Sequence, residues 1–164
     1  ASSHFSVNRC VETTLSVARH EWKYVADVDT QLAPDLPPVL GNSDEFNQVL
    51  LNLIVNAAHA IQEAQKASGT SDKGRISITT RTHEQHVEVA VADTGHGIPE
   101  SARPQIFDPF FTTKDVGKGS GQGLAISRNV IQKHGGTIAF ESEVGRGTTF
   151  TIRLPLAPVP QPAP

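Results

Sequence analysis

Apolar and polar residues alternate along this chain with two different periods, and the switches between them outline the fold. Val7, Val11, Leu15 and Ala18 recur at helical spacing and predict a short helix over 6–18. Lys23 to Asp29 then alternates, with Tyr24 and Val28 among polar neighbours, which predicts a strand. Pro34, Pro37 and Pro38 punctuate a connection. After it, Asn42-Ser43-Asp44 offers N-cap chemistry for a long helix over about 44–65, with Leu50, Leu53, Ile54, Ala57 and Ile61 on its core-facing side. Ser68 to Gly74 reads as a flexible turn. Two β-branched runs, Arg75 to Arg81 and His86 to Ala92, follow as a hairpin.

Residues 94–121 lose this periodicity. They are rich in glycine, proline and polar side chains, with one short helical candidate around 100–106. A loop of that length in a compact domain is usually functional. Gln122 to His134 predicts a second long helix, closed by Gly135-Gly136. Thr137 to Glu143 and Thr148 to Leu154 form a closing hairpin around Val144-Gly-Arg-Gly147. The expected architecture is α/β (α+β): a two-layer sandwich in which a mixed, mostly antiparallel sheet carries three main helices on one face. No internal repeat is visible. The domain is expected over 5–155, followed by a proline-rich tail or linker over 156–164.

Composition narrows the classes. A chain of 164 residues suits one domain, and its hydrophobic fraction of 37% suffices for a core. A net charge of −3 gives no basic footprint for nucleic acid. No apolar run approaches the roughly 18 residues of a membrane span, so no membrane contact by this fragment is expected. Cys10 is alone, which excludes a disulfide framework within the chain and suits a cytoplasmic setting. The chain has no methionine, not even at its start, and is expected to be a piece of a larger protein, itself membrane-anchored or not.

Four stretches carry candidate chemistry. On the 44–65 helix, Glu45, Gln48, Asn52, Asn56, His59 and Glu63 fall within an arc of about 80° at helical spacing. A plain solvated face is one reading. Asparagine is a middling helix former, however, and its oxygen is a hard donor suited to Mg²⁺. Second, the strand over 87–92 runs into Asp93-Thr-Gly-His-Gly97. A carboxylate at a buried strand end accepts from an amine such as adenine N6, and Gly95 and Gly97 leave room for a flat base; an ordinary Asp/Gly turn is the alternative. Third, Gly117, Gly119, Gly121 and Gly123 precede a helix, where backbone N–H groups favour phosphate and Lys118 adds charge. The spacing fits neither the P-loop nor the dinucleotide fingerprint, and a flexible linker would look similar. Fourth, Phe107, Phe110 and Phe111 sit in the predicted loop, followed by Thr112, Thr113 and Lys114. They pin the loop to the domain, or they meet a partner.

Taken together, these residues resemble the catalytic, ATP-binding domain of two-component sensor histidine kinases, part of the wider Bergerat-fold superfamily with DNA gyrase, mismatch-repair ATPases and a heat-shock chaperone. Asn52-Leu-Ile-Val-Asn56-Ala matches the N box, and Asp93-Thr-Gly-His-Gly97 the G1 box. Phe107-Asp-Pro-Phe-Phe-Thr-Thr-Lys114 matches the F box, Gly119-Ser-Gly-Gln-Gly-Leu124 the G2 box, and Gly145-Arg-Gly-Thr-Thr-Phe150 the closing element. The resemblance covers about residues 5–155.

It implies ATP and Mg²⁺ as cofactors. Asn56 would bind the metal, with Asn52 beside it near the phosphates as the second catalytic asparagine. Asp93 would read adenine, assisted by Gly97, Thr149 and a water. Gly119, Gly121 and Gly123 would meet phosphate, residues 99–121 would form an ATP lid, and Gly95, Ile98, Lys114, Ser120 and Leu124 complete the implied nucleotide set. His59 stands where many members carry a phosphate-facing lysine, and Gln122 replaces a common leucine. The implied partners are a histidine-containing dimerisation domain of the same parent protein and a downstream response regulator receiver domain.

The phosphoacceptor is missing. His20-Glu21-Trp22 lacks the following proline and runs straight into a strand, and His83-Glu84 falls in a hairpin turn. His4, His86, His96 and His134 have neither acceptor context nor metal-ligand spacing. The expected function is therefore donation of the ATP γ-phosphate to a histidine on a separate hairpin. A nucleotide-responsive module without transfer and an anti-sigma-type serine kinase remain open. A gyrase-type ATP-hydrolysing clamp needs a glutamate one turn before the metal-binding asparagine, and that position is Asn52.

Overall fold

A computed structural model of the chain describes residues 3–108 and 123–156. Its elements run β1 (Ser3–Phe5), α1 (Val7–Val17), α2 (Arg19–Trp22), β2 (Ala26–Gln31), β3 (Val39–Gly41), α3 (Ser43–Ser68), β4 (Gly74–His83), β5 (His86–Asp93), α4 (Gly123–Lys133), β6 (Thr137–Glu143) and β7 (Gly147–Pro155). A 3-10 helix covers Glu100–Gln105, where a short helix was expected. The main sheet is ordered β2-β4-β5-β7-β6. Only β2 and β4 pair in parallel, and every other neighbour is antiparallel, so the sheet is mixed as expected.

One face of this sheet is apolar. Ile76 and Ile78 of β4, Val87, Val89 and Val91 of β5, and Phe150, Ile152 and Leu154 of β7 share it through their register, and all are buried. Helix α3 covers it with Phe46, Leu50, Leu53, Ile54 and Ile61, and Val7 and Val11 of α1 and Ile131 of α4 join the same core. Burying a large aliphatic side chain contributes roughly 1.5–3 kcal/mol, so this single interface dominates the fold. The opposite face carries Glu88, Ala90 and Ala92 with Thr149, Thr151 and Arg153. There Glu88 bridges Arg81 at 3.1 Å and Arg153 at 3.1 Å across three strands.

The helix ends follow local chemistry. Asn42 caps α3 by accepting from the Glu45 N–H at 3.0 Å, and Gly69 ends it in the left-handed region at φ 70°. Helix α3 therefore runs three residues past its expected end. Two other expectations shift. The second strand covers 26–31 rather than 23–29, because Arg19–Trp22 forms an extra helical turn and Val25 N–H bonds back to Trp22. A small second sheet pairs β1 with β3, Phe5 opposite Val39, where no strand was expected. Each of its strands is three residues long, too short for periodicity to reveal.

Candidate nucleotide site

The site lies where α3, the end of β5, the β6–β7 hairpin and the start of α4 converge. Strand β5 delivers Asp93 as its last residue, opposite Thr148 of β7. The Gly95 N–H donates to Asp93 Oδ1 at 2.8 Å. Burial pushes the Asp93 carboxyl up to about 6, against the opposing pull of the Gly95 and Thr148 N–H groups and of His96. Loss of hydration outweighs two hydrogen bonds here, as expected of an acceptor set below the surface.

Gly95 and Gly97 answer to neighbours within the protein. A Cβ on Gly95 would lie 2.5 Å from Ala60 Cβ on α3, and one on Gly97 would lie 2.5 Å from the Glu143 carbonyl, at φ 79°. The absent side chain at Gly95 lets the turn after β5 pack against Ala60, one helical turn along α3 from Asn56. Gly145 N–H bonds to His96 O at 2.9 Å and fastens the turn to the β6–β7 hairpin.

Ser142 of β6 organises the adjoining wall, and sequence reasoning missed it. The Ile98 N–H donates to Ser142 Oγ at 2.7 Å, Thr148 Oγ1 lies 2.9 Å from the same oxygen, and the Gly147 carbonyl accepts from it at 3.2 Å. Arg103 adds two donors, Nε to Ile98 O at 3.2 Å and Nη2 to Ser142 O at 2.8 Å. Ile98 is thus held by its backbone. The threonine beside Asp93 is Thr148. Thr149, expected to assist it, pairs with Ala92 on the opposite face of the sheet. Side chains alternate along a strand, so moving one residue changes the face.

On α3 the polar arc sits as the spacing required. Asn52, Asn56 and His59 are each half-buried. Asn52 Nδ2 donates to Gly123 O at 3.4 Å and to Ser127 Oγ at 3.3 Å, so it spans to α4. His59 Nε2 lies 3.7 Å from Glu21 Oε2, which directs it toward α2. At the other end of α4, the Asn42 N–H donates to His134 Nε2 at 3.0 Å, while His134 Nδ1 faces Val130 O at 2.8 Å. A carbonyl only accepts and an N–H only donates, so Nδ1 carries the proton. Lys133 reaches Glu45 at 2.9 Å beside it. Helix α4 is thereby tied to α3 at both ends.

The near end of the expected lid is packed. Ala102 and Ile106 are buried. Phe107 lies 6.1 Å from Phe140 and edge-on to Phe150 at 6.5 Å, with Arg128 5.6 Å from its ring centre. Gly123 opens α4 and Leu124 packs against the core. Phe110, Phe111, Lys114, Gly119, Ser120, Gly121 and Gln122 lie outside the described residues.

A family model described as histidine kinase-, DNA gyrase B- and HSP90-like ATPase matches residues 41–158. The chain belongs to this ATPase family. It is 42% identical over 127 residues to the sensor kinase CckA of Brucella abortus, covering 74% of this chain and 13% of that protein. It is 37% identical over 155 residues to the signal transduction histidine-protein kinase AtoS of Escherichia coli, covering 93% of this chain and 24% of that protein. It therefore spans a quarter or less of these relatives. The nucleotide-free catalytic domain of histidine kinase ThkA superposes with a TM-score of 0.79 at 31% identity, over 96% of this chain and 99% of that one. The chain thus carries this ATPase family's domain in the fold of a histidine kinase catalytic domain.

The donors present suit the metal that the family implies. Asn52 and Asn56 offer amide oxygens, hard ligands that accept Mg²⁺ alongside phosphate and water. Among the described residues no three His, Cys, Asp or Glu side chains gather to hold a metal. A cation here would take most of its ligands from nucleotide and solvent. No helix among the described residues is long and apolar enough to cross a membrane.

Proposed function

We propose that this domain binds Mg²⁺-ATP and presents the γ-phosphate to a histidine on a separate dimerisation hairpin of its parent protein, on the cytoplasmic side, for onward transfer to a response regulator receiver domain. The observation that carries the reading is the buried Asp93 acceptor, fixed by the Gly95 and Thr148 N–H groups, with the turn after it packed on α3 one helical turn from Asn56. In this reading Asp93 accepts from the adenine amine, and the Thr148 and Ser142 hydroxyls order the same edge of the base. By the family resemblance, the glycine-rich run before α4 would bind phosphate, and Lys114 and Ser120 would belong to the same nucleotide set. Asn56, with Asn52 beside it, would hold Mg²⁺, which when bound neutralises charge on the phosphate oxygens. His59, 3.7 Å from Glu21, stands on the same arc of α3, where the family resemblance puts a lysine in many members.

The position one turn before Asn56, where a water-activating glutamate would stand in a gyrase-type clamp, holds Asn52. Asn52 cannot accept a proton at neutral pH, and its amide is engaged by Gly123 and Ser127. The chain's work is to bind, orient and shield, and the nucleophile comes from elsewhere. The test is calorimetric titration with ADP and Mg²⁺, followed by transfer from ATP to a separately supplied hairpin of the parent protein. Binding and transfer to histidine are expected. Transfer to a serine of a regulator instead would favour the anti-sigma-type reading, and binding without any transfer would favour a regulatory module.

A further inference from the structure

The Asn52 carboxamide is asymmetric and could be seated either way round. Its two ends differ in what they offer, because the NH₂ only donates and Oδ1 only accepts. One end faces the start of α4, and two groups there determine which end it is. The Gly123 carbonyl, 3.4 Å away, is an obligate acceptor. Ser127 Oγ, 3.3 Å away, belongs to a side chain with 0% exposure. A buried hydroxyl with no water to turn to must find its partner within the protein. The carbonyl selects the NH₂ end, and the hydroxyl, which can donate or accept, accepts from that same end. Among the described residues, Oδ1 accepts from Gln48 Nε2, at a loose 3.5 Å from an exposed side chain.

We infer that Ser127 is a positioning residue for the nucleotide reaction, locking the Asn52 amide so that its oxygen faces the phosphate and metal side. Ser127 touches neither nucleotide nor metal and acts through Asn52. A shift of α4 that withdraws Ser127 and the Gly123 carbonyl releases the amide to rotate, and the oxygen is then no longer aimed.

The inference rests on the proposed nucleotide site, and its test separates the two. The 164-residue chain is titrated with ADP in Mg²⁺ and again in EDTA. Ser127→Ala is expected to weaken ADP binding in Mg²⁺ by about 3- to 10-fold and to leave binding in EDTA within about 2-fold. Asn52→Ala with Ser127→Ala should bind no more weakly than Asn52→Ala alone, since a lost amide needs no aiming. Ser127→Thr, which keeps the hydroxyl, should recover part of the loss.

Equal losses in Mg²⁺ and EDTA, or additive losses in the double variant, would overturn the positioning role and leave the nucleotide site intact. Failure of the wild type to bind ADP would sink the nucleotide reading itself. A second measurement needs neither ligand nor variant. The two Asn52 Nδ2 protons should exchange slowly and resonate apart in the free chain. Free-amide exchange at Asn52 would overturn the inference.

Discussion

At the scale of single residues, Asp93 and Thr148 carry the proposed recognition chemistry, and both can be tested by one-atom or one-group changes. Asp93→Asn replaces an acceptor with an amide whose NH₂ can oppose the adenine amine. Such a mismatch costs roughly 1–3 kcal/mol, so ADP affinity should fall about 5- to 150-fold by calorimetry. The same carboxyl gives a pH signature. Its folded value, about 6, lies above its ordinary value of 3.8, so the folded chain binds the proton more tightly than the unfolded one. The ionised form therefore costs stability, a cost that grows as pH rises from about 4 to about 6 and then levels off. Asp93→Asn removes the charge. Its melting temperature should match or exceed that of the wild type at pH 8, and the difference should close toward pH 4. A variant clearly less stable at pH 8 would contradict the desolvation argument. Nucleotide binding has the opposite slope, because the carboxylate is the better acceptor; ADP affinity of the wild type should weaken as pH falls through about 6. The threonine pair separates just as sharply. Thr148→Ala should cost about 1 kcal/mol, roughly a 5-fold loss of ADP affinity, while Thr149→Ala on the far face should change little. Equal effects would mean that the strand register places neither hydroxyl in the site.

At the scale of elements, the contacts between them decide what can move. Strand β5 meets α3 through Gly95 and Ala60, with no space for a methyl group. Gly95→Ala should destabilise the chain by about 1–3 kcal/mol through overpacking. It should also disturb nucleotide binding, because it pushes the turn after β5 away from α3. Unchanged melting and binding would show that this junction yields. The segment after β5 is fastened twice more, by Ser142 and Arg103 and then by the Phe107 cluster. Residues 98–107 should therefore be protected in hydrogen exchange without nucleotide, although they lie at the start of the expected lid. Phe107→Ala removes two aromatic contacts worth roughly 0.5–1.5 kcal/mol each beyond burial. It should extend fast exchange back toward residue 98. Exchange in the wild type that is already fast from residue 98 onward would mean that these fastenings contribute little.

At the scale of the whole molecule, the fold is one sheet with a single apolar face under three helices, and the site occupies the rim where the helices and the sheet end meet. Much of this was legible in the sequence. Local periodicity fixes helix and strand because each residue's face follows from its position, so Leu50, Leu53, Ile54, Ile61 and the valines of β5 declare the core on their own. The N-cap at Asn42 and the glycines after Lys133 mark their boundaries by backbone chemistry alone. The stretches around Asn52 and Asp93 were legible for the same reason, since each is a short run in sequence. The threonine beside Asp93 could also have been found locally. Thr148 shares parity with Phe150, Ile152 and Leu154, and that alternation names the inward face. What remained hidden depends on residues distant in sequence. Ser142 is an unremarkable strand serine until Ile98 reaches it from 44 residues away. Ser127 and Asn52 are separated by 75 residues, and His134 and Asn42 by 92. Gly95 is a turn residue in sequence and a packing contact in space. The sequence by itself determined the main elements, the core and the chemistry on offer, because those follow from local period and residue type. Tertiary structure alone decided which polar groups face one another, because hydrogen-bond partners are chosen by the docking of α4 and the β6–β7 hairpin against α3.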